Sequence, residues 1–121
     1  MPEVDVVFFA DNSGRAPVLE WLAEVPPKVR DKFIVRVERL AECGSALRRP
    51  EADILRDGIY ELRVRHMRIN YRILYFFRGA RAILCHGLTK EREVADQDIE
   101  RASERRDAFA GDPEKHTFSE E

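Results

Sequence analysis

Alternating apolar and polar positions between residues 58 and 92 predict three successive β-strands joined by short turns. The predicted strands are Ile59–His66, Arg68–Phe77 and Ala80–Leu88. If the first two strands pair as a hairpin, Arg63 and Arg72 share one face of the sheet and the apolar side chains share the other. The segment therefore predicts a half-buried sheet whose open face is lined with guanidinium groups.

The residues before this sheet predict one strand and two helices. Val4–Ala10 is rich in β-forming residues, and a proline at position 17 suits the first turn of a helix. A second helix can begin at Pro27, carries apolar residues at helical spacing, and should end at Gly44. We expect the two helices to form an antiparallel pair on the apolar face of the sheet.

The remaining segments complete a single α+β domain over residues 1–110. Residues 45–57 read as a long polar connector, and a last helix is predicted from Gln97 to about Ala110, with Asp96 as its cap. The polar tail, residues 111–121, is expected to be loose. The predicted architecture is a small, mostly antiparallel sheet with a helical hairpin on one face and a C-terminal helix.

Charge is unevenly distributed along the chain. The net charge of the 121 residues is −2, yet residues 48–92 carry +6 and the rest of the chain carries −8. A basic segment within an acidic chain favours a focused anion site over a general nucleic-acid-binding surface. The alternative is that the arginines are simply solvated residues on exposed strands.

Other features of the sequence narrow the class of protein. No apolar run approaches the roughly 20 residues of a membrane span. No signal peptide is evident, so a cytoplasmic location is expected. The two cysteines, Cys43 and Cys85, fit no metal-binding spacing and are interpreted as buried apolar residues.

The basic face suits the cleavage of a phosphodiester. Arg63 and Arg72 can make forked contacts to a phosphate, and Lys90, beside other cations, suits proton transfer. Because no carboxylate cluster for Mg²⁺ is predicted on this face, attack by a ribose 2′-hydroxyl is the natural chemistry and RNA the natural substrate. Each residue also has a plainer interpretation: Arg63 can pair with Glu61 or Asp57, and Lys90 can be a surface turn residue.

The tyrosines and histidines provide weaker evidence for a functional site than the arginines do. Tyr60, near the start of its strand, could stack on a base, whereas the other tyrosines fit the core by periodicity. His86 lies in an apolar strand and is interpreted as a structural, partly buried histidine. His66 lies at a turn, and His116, in the tail, is discounted.

Three motifs in order resemble the HigB-type toxins of the RelE/ParE superfamily, including their phage-derived relatives. These are Tyr60-Glu61-Leu62-Arg63, then Asn70-Tyr71-Arg72-Ile73-Leu74-Tyr75-Phe76, then His86-Gly87-Leu88-Thr89-Lys90. The resemblance covers about residues 4–109 and includes the order of strands and helices.

The resemblance implies a RelE-like fold and a small endoribonuclease without a metal or other cofactor. Most such toxins cut mRNA on the ribosome and are held inactive by a cognate antitoxin, typically a helix-turn-helix protein. Arg63, Arg72 and Lys90 would be the catalytic residues. Further contacts to RNA are expected from Arg65, Arg68, Arg92 and Tyr60.

Two departures from the family pattern leave other functions open. Glu91 replaces the second lysine of the last motif, and the chain is mildly acidic where such toxins are basic. One alternative is ParE-like inhibition of DNA gyrase by binding, without cleavage. Another is a degenerate binding module that keeps the fold and has lost the chemistry.

Overall fold

The computed structural model describes residues 3–89 and 93–120, which fold into five strands, three α-helices and one short 3₁₀-helix. The strands are β1 (Asp5–Phe8), β2 (Ala52–Ile54), β3 (Tyr60–His66), β4 (Ile69–Arg78) and β5 (Arg81–Thr89). The α-helices are α1 (Pro17–Glu24), α2 (Pro27–Cys43) and α3 (Asp96–Gly111), and the 3₁₀-helix is Gly44–Ala46.

The five strands form one sheet in the order β1-β5-β4-β3-β2. β1 pairs with β5 in parallel, and every other neighbouring pair is antiparallel. The predicted α+β class and mostly antiparallel sheet are therefore confirmed. The predicted end of the second helix is also confirmed, because Gly44 follows α2 with a φ of 56° that favours glycine.

One face of the sheet packs against α1 and α2, as the alternation predicts. Leu62, Val64, Ile73 and Tyr75 of the central strands belong to this core, together with apolar residues of the two helices. The helix residues that are buried in it are Val18, Val29, Phe33 and Leu40. The helical hairpin therefore covers the face opposite the arginines.

Gly87 on β5 is required by the close approach of α1. A Cβ atom at this position would overlap the indole ring of Trp21, which is itself held edge-on against Phe33 and Tyr71. We expect Gly87→Ala to lower the free energy of unfolding by about 1–3 kcal/mol, because overpacking forces these rings to move. Chemical denaturation measures the effect.

Gly111→Ala is the matched control for Gly87→Ala. Gly111 ends α3, and a Cβ there meets no atom within 4 Å. Its stability should equal that of wild type or exceed it slightly. Equal stabilities for the two variants would contradict the close packing of Trp21 on Gly87.

The second face of the sheet is not open along its whole length, and this part of the prediction is wrong. Leu74, Phe76, Ile83 and Cys85 form a second core beneath α3. From α3 this core receives Ile99, Ala102 and Phe109. Both faces are thus covered near the β1 end of the sheet, and the arginine-bearing ends of β3 and β4 extend beyond α3.

Two local predictions also need correction. The connector between the helices and the sheet contains β2, a three-residue strand that pairs with the start of β3. Arg68, predicted to open the second strand of the hairpin, lies instead in the turn with Met67, and both residues have positive φ (69° and 51°). A two-residue turn with both φ angles positive matches the twist of a β-hairpin.

The C-terminal tail is ordered against β1, contrary to the expectation that it is loose. His116 is 6% exposed, donates a hydrogen bond from Nδ1 to the Ala10 carbonyl (2.7 Å), and stacks on Phe9. The Phe118 amide donates to the Phe8 carbonyl. In the part of the chain described here, the helices are all too short or too polar to cross a membrane.

Candidate functional site

An open cleft of ≈ 890 Å³ lies where β2, β3 and β4 meet the start of α3. Its walls come from the connector, the three strands and the residues around the N-terminus of α3. The lining residues that carry charge are Arg49, Asp53, Arg56, Glu61, Arg63, Arg72, Glu93 and Asp96.

Arg63 and Arg72 form a cross-strand pair at the floor of this cleft. The register of β3 and β4 places the two residues directly opposite each other, so their side chains leave the same face of the sheet. Arg72 is 7% exposed, whereas the Arg63 side chain is 29% exposed. The structure therefore brings together the two arginines that the sequence predicts for phosphate binding, with Arg63 the more accessible.

Glu61 lies between the two arginines, on the same face. Its carboxylate is 3.3 Å from Arg72 Nε and 3.8 Å from Arg63 Nη1, and the residue is 3% exposed. The Arg72 contact lacks hydrogen-bond geometry, so Glu61 Oε1 and Arg72 Nε are both buried without a hydrogen-bond partner among the described residues. Burial raises the pKa of Glu61, although Arg72 and Arg63 oppose the shift.

Asp53 on β2 connects the floor of the cleft to its rim. It accepts a hydrogen bond from Arg49 (2.7 Å) and lies 3.9 Å from Arg63. Burial alone would raise the pKa of Asp53, but hydrogen bonds from Arg49 and the Ile54 amide bring it below its ordinary value. Among the described lining residues, four arginines are therefore balanced by four acids.

The described residues among the further predicted RNA contacts, Arg65, Arg68 and Tyr60, do not line the cleft. Arg65 follows Arg63 on the same face of β3 and is exposed, and Arg68 is exposed at the hairpin turn. Tyr60 faces the helices, stacked on Tyr75 with ring centroids 5.4 Å apart, so the structure does not place it with the arginines. Lys90 and Arg92 lie outside the described residues.

His86 occupies the structural position that the sequence predicts. Its Nε2 is 2.8 Å from Asp98 Oδ1 across the contact between β5 and α3, and its side chain is 19% exposed. Burial lowers the pKa of His86, against the opposing effect of the Asp98 hydrogen bond. The predicted partial burial of this histidine is therefore confirmed.

Within residues 3–89 and 93–120, no group of three or more His, Cys, Asp or Glu side chains is placed to hold a metal ion. Both cysteines are free thiols; Cys85 is fully buried and Cys43 partly so. Burial raises the pKa of Cys85 to about 12, so this thiol stays protonated and unreactive at neutral pH.

Glu61 and Asp53 line the cleft but are not among the site residues that the sequence predicts. The sequence offers Glu61 as a partner of Arg63, and the structure adds that it also contacts the buried Arg72. Its signal in the sequence is its spacing: it precedes Arg63 by two residues on one strand, which places both on one face. Asp53 had no comparable signal, because β2 lies within a polar connector.

Comparison with known proteins identifies the family. A family model described as phage-derived protein Gp49-like (DUF891) matches residues 20–107. No curated protein matches the chain. The matched residues include the second half of α1, all of α2, β2 to β5 and most of α3. The resemblance predicted from the three motifs is supported at this level, since the Gp49-like family is RelE/HigB-like. Because the match spans well over half of its residues, the chain belongs to the phage-derived Gp49-like family.

Proposed function

We propose that this protein is the toxin of a type II toxin–antitoxin pair and that it acts as a HigB-type endoribonuclease on mRNA. The observation that carries the proposal is the pair of arginines, Arg63 and Arg72, placed opposite each other on β3 and β4 at the floor of an open cleft. Two guanidinium groups on one face can bind the scissile phosphate and stabilise the charge that develops on it.

The proposed reaction is attack by a ribose 2′-hydroxyl on the adjacent phosphorus. The 2′-oxygen–phosphorus bond forms as the bond to the 5′-oxygen of the next nucleotide breaks. One proton leaves the 2′-hydroxyl and one is added to the departing 5′-oxygen, with Lys90 as the proposed proton-transfer group. The products are a 2′,3′-cyclic phosphate and a 5′-hydroxyl, and the chemistry requires no metal.

The partners belong to the same proposal. A toxin of this kind would act on mRNA during translation and would be neutralised by a helix-turn-helix antitoxin encoded beside it. Membership of the Gp49-like family, which is RelE/HigB-like, supports this assignment. The adjacent reading frame is the simplest place to look for the antitoxin.

A non-catalytic binding module of the same fold is the second candidate, and one observation favours it. Glu61 already contacts Arg72, and the charges of the described cleft residues balance, which weakens attraction for a phosphate. Such a protein would bind a partner through the cleft and leave RNA intact. Inhibition of DNA gyrase by binding is a related possibility within the superfamily.

Primer extension on cellular mRNA after a short pulse of expression separates these functions. We expect new 5′ ends inside coding regions with wild type and their loss with Lys90→Ala, because the proton-transfer group is removed. Lys28→Ala, an exposed lysine near the start of α2, serves as the control and should cleave like wild type. Intact transcripts with arrested growth would favour a binding inhibitor, and intact transcripts with normal growth would favour the degenerate module.

A further inference from the structure

The hairpin formed by β3 and β4 carries cationic groups well beyond the cleft. No Asp or Glu occurs from Leu62 to Thr89, so the hairpin has no acid of its own beyond Glu61. Arg65 lies on the same strand face as Arg63, about 7 Å further along β3. Arg65 and Arg68 are both exposed, and within the described part of the chain neither forms an ion pair.

The helical layer adds another cation at the end of the hairpin. β2 covers only the first three residues of β3, which leaves the rest of that strand at the sheet edge. Lys32 of α2 lies against this edge: its Nζ donates to the Arg65 carbonyl (3.2 Å) and is 3.3 Å from His66 Nδ1. The ammonium group of Lys32 thus lies beside the last two residues of β3.

The turn itself presents an exposed apolar group in a costly conformation. Met67 is 80% exposed, and it and Arg68 both adopt positive φ, which residues other than glycine and asparagine rarely do. An Asn-Gly pair would form the same turn without this strain. The turn carries a long thioether and a guanidinium where stability alone favours other residues, and this points to a role in binding.

We propose that the hairpin is a track for single-stranded RNA, leading from Arg63 and Arg72 in the cleft past Arg65 to Arg68, Lys32 and Met67 at the tip. The cations would follow successive phosphates, and the polarizable Met67 side chain would pack on a base. RNA fits better than an acidic protein segment, because the exposed apolar side chains at the tip are few, Met67 and Ile69, and lie among separated cations rather than in a large apolar area. The inference rests on the proposed function, which makes RNA the ligand.

Binding of a non-cleavable RNA tests the track without requiring catalysis. The probe is a fluorescent single-stranded oligomer of about 8 nucleotides with 2′-methoxy groups, and the dissociation constant is measured at several salt concentrations. We expect Arg65→Ala/Arg68→Ala to weaken binding roughly tenfold at low salt and to reduce the slope of log K against log salt by about 1.4.

Arg78→Ala/Arg81→Ala is the matched control. These two arginines are exposed and pair across the β4–β5 hairpin, at the opposite end of β4. Their substitution removes the same charge as Arg65→Ala/Arg68→Ala. Binding should stay close to that of wild type. Equal losses in the two double variants, or no loss in either, would overturn the track.

Met67→Asn/Arg68→Gly provides a test that a folding defect cannot imitate. This variant should have a Tm about 5 °C higher than wild type, because Asn and Gly adopt the positive φ angles of the turn with less strain. It should still bind RNA more weakly than wild type. Wild-type affinity in this variant would overturn the role of the tip. If the wild type binds the oligomer but cleaves no natural RNA, the proposed function fails and the track stands. If the wild type cleaves natural RNA but Arg65→Ala/Arg68→Ala binds the oligomer as tightly as wild type, the proposed function stands and the track fails.

Discussion

Replacing Arg63 with alanine should reduce RNA cleavage by roughly 10²–10³-fold while the fold is kept. Arg63 is the accessible member of the arginine pair, and its ion pairs to Glu61 and Asp53 are long, at 3.8 and 3.9 Å. Contacts of that length in a partly exposed group are weak, so the guanidinium can turn toward a phosphate. Cleavage rates and thermal unfolding of the purified variant measure both parts of the prediction.

Two further variants sharpen the test of Arg63. Arg63→Lys keeps the charge but loses the forked donor geometry, so its cleavage rate should fall between those of wild type and Arg63→Ala. Arg81→Ala removes an exposed arginine at the other end of the sheet and should cleave like wild type. Wild-type cleavage by Arg63→Ala would remove this residue from the catalytic group.

The second large effect is expected at Arg72, and it is on stability. Arg72→Met leaves the Glu61 carboxylate, 3% exposed, without its nearest cation. Breaking a buried pair in this way costs about 3–5 kcal/mol of unfolding free energy. Because an apolar pair of similar volume can replace a buried ion pair at little cost, Glu61→Leu/Arg72→Met should recover most of the loss. Chemical denaturation of the three proteins measures this, and a double variant no more stable than Arg72→Met would contradict it.

Glu61 also predicts how stability changes with pH. Its pKa is raised in the folded protein, mainly by burial, so the folded state holds this proton more tightly than the unfolded state does. The contribution of Glu61 to stability is therefore greatest at low pH and falls as the pH rises from the ordinary glutamate range through the folded pKa. This dependence should disappear in Glu61→Gln and become steeper in Arg72→Met, where the opposing charge is lost.

Much of the fold follows from periodicity alone. The alternation along β3 and β4 correctly placed Arg63 and Arg72 on one face, because side chains on a strand alternate with a period of two. The apolar stripe of α2 and the glycine that ends it were equally clear. These features depend on residues close together in the chain, so a single sequence is enough to predict them.

Other features depend on contacts between distant segments. The sequence predicts that Ile73, Tyr75 and Phe77 face the helical hairpin, but it predicts no cover for Leu74 and Phe76 on the opposite face. That cover comes from α3, so this part of β4 is buried on both faces. His116 lies in a polar tail, and its burial against Phe9 comes from packing that local composition does not reveal. The Met67-Arg68 turn contains neither glycine nor asparagine, the residues that usually predict such a turn in a sequence.

The candidate site was predicted in part for the same reason. Residue type and strand spacing identified the arginines, whereas the burial of Glu61 against Arg72 depends on how far α3 and β2 enclose the sheet. Because of this enclosure, the basic face of the sheet becomes the floor of a cleft in which the described lining residues carry equal numbers of positive and negative charges. The chemistry proposed for the cleft must therefore operate beside a buried carboxylate.

The most direct test of the central claim is cleavage of a defined mRNA carrying a single 2′-deoxy nucleotide at a mapped cleavage position, both free and on programmed ribosomes. If the 2′-hydroxyl is the nucleophile, cleavage stops at that position, continues at unmodified positions, and leaves 2′,3′-cyclic phosphate and 5′-hydroxyl ends. Cleavage that persists at the 2′-deoxy position would contradict 2′-hydroxyl attack, and growth arrest with no cleavage of any RNA would contradict the ribonuclease itself.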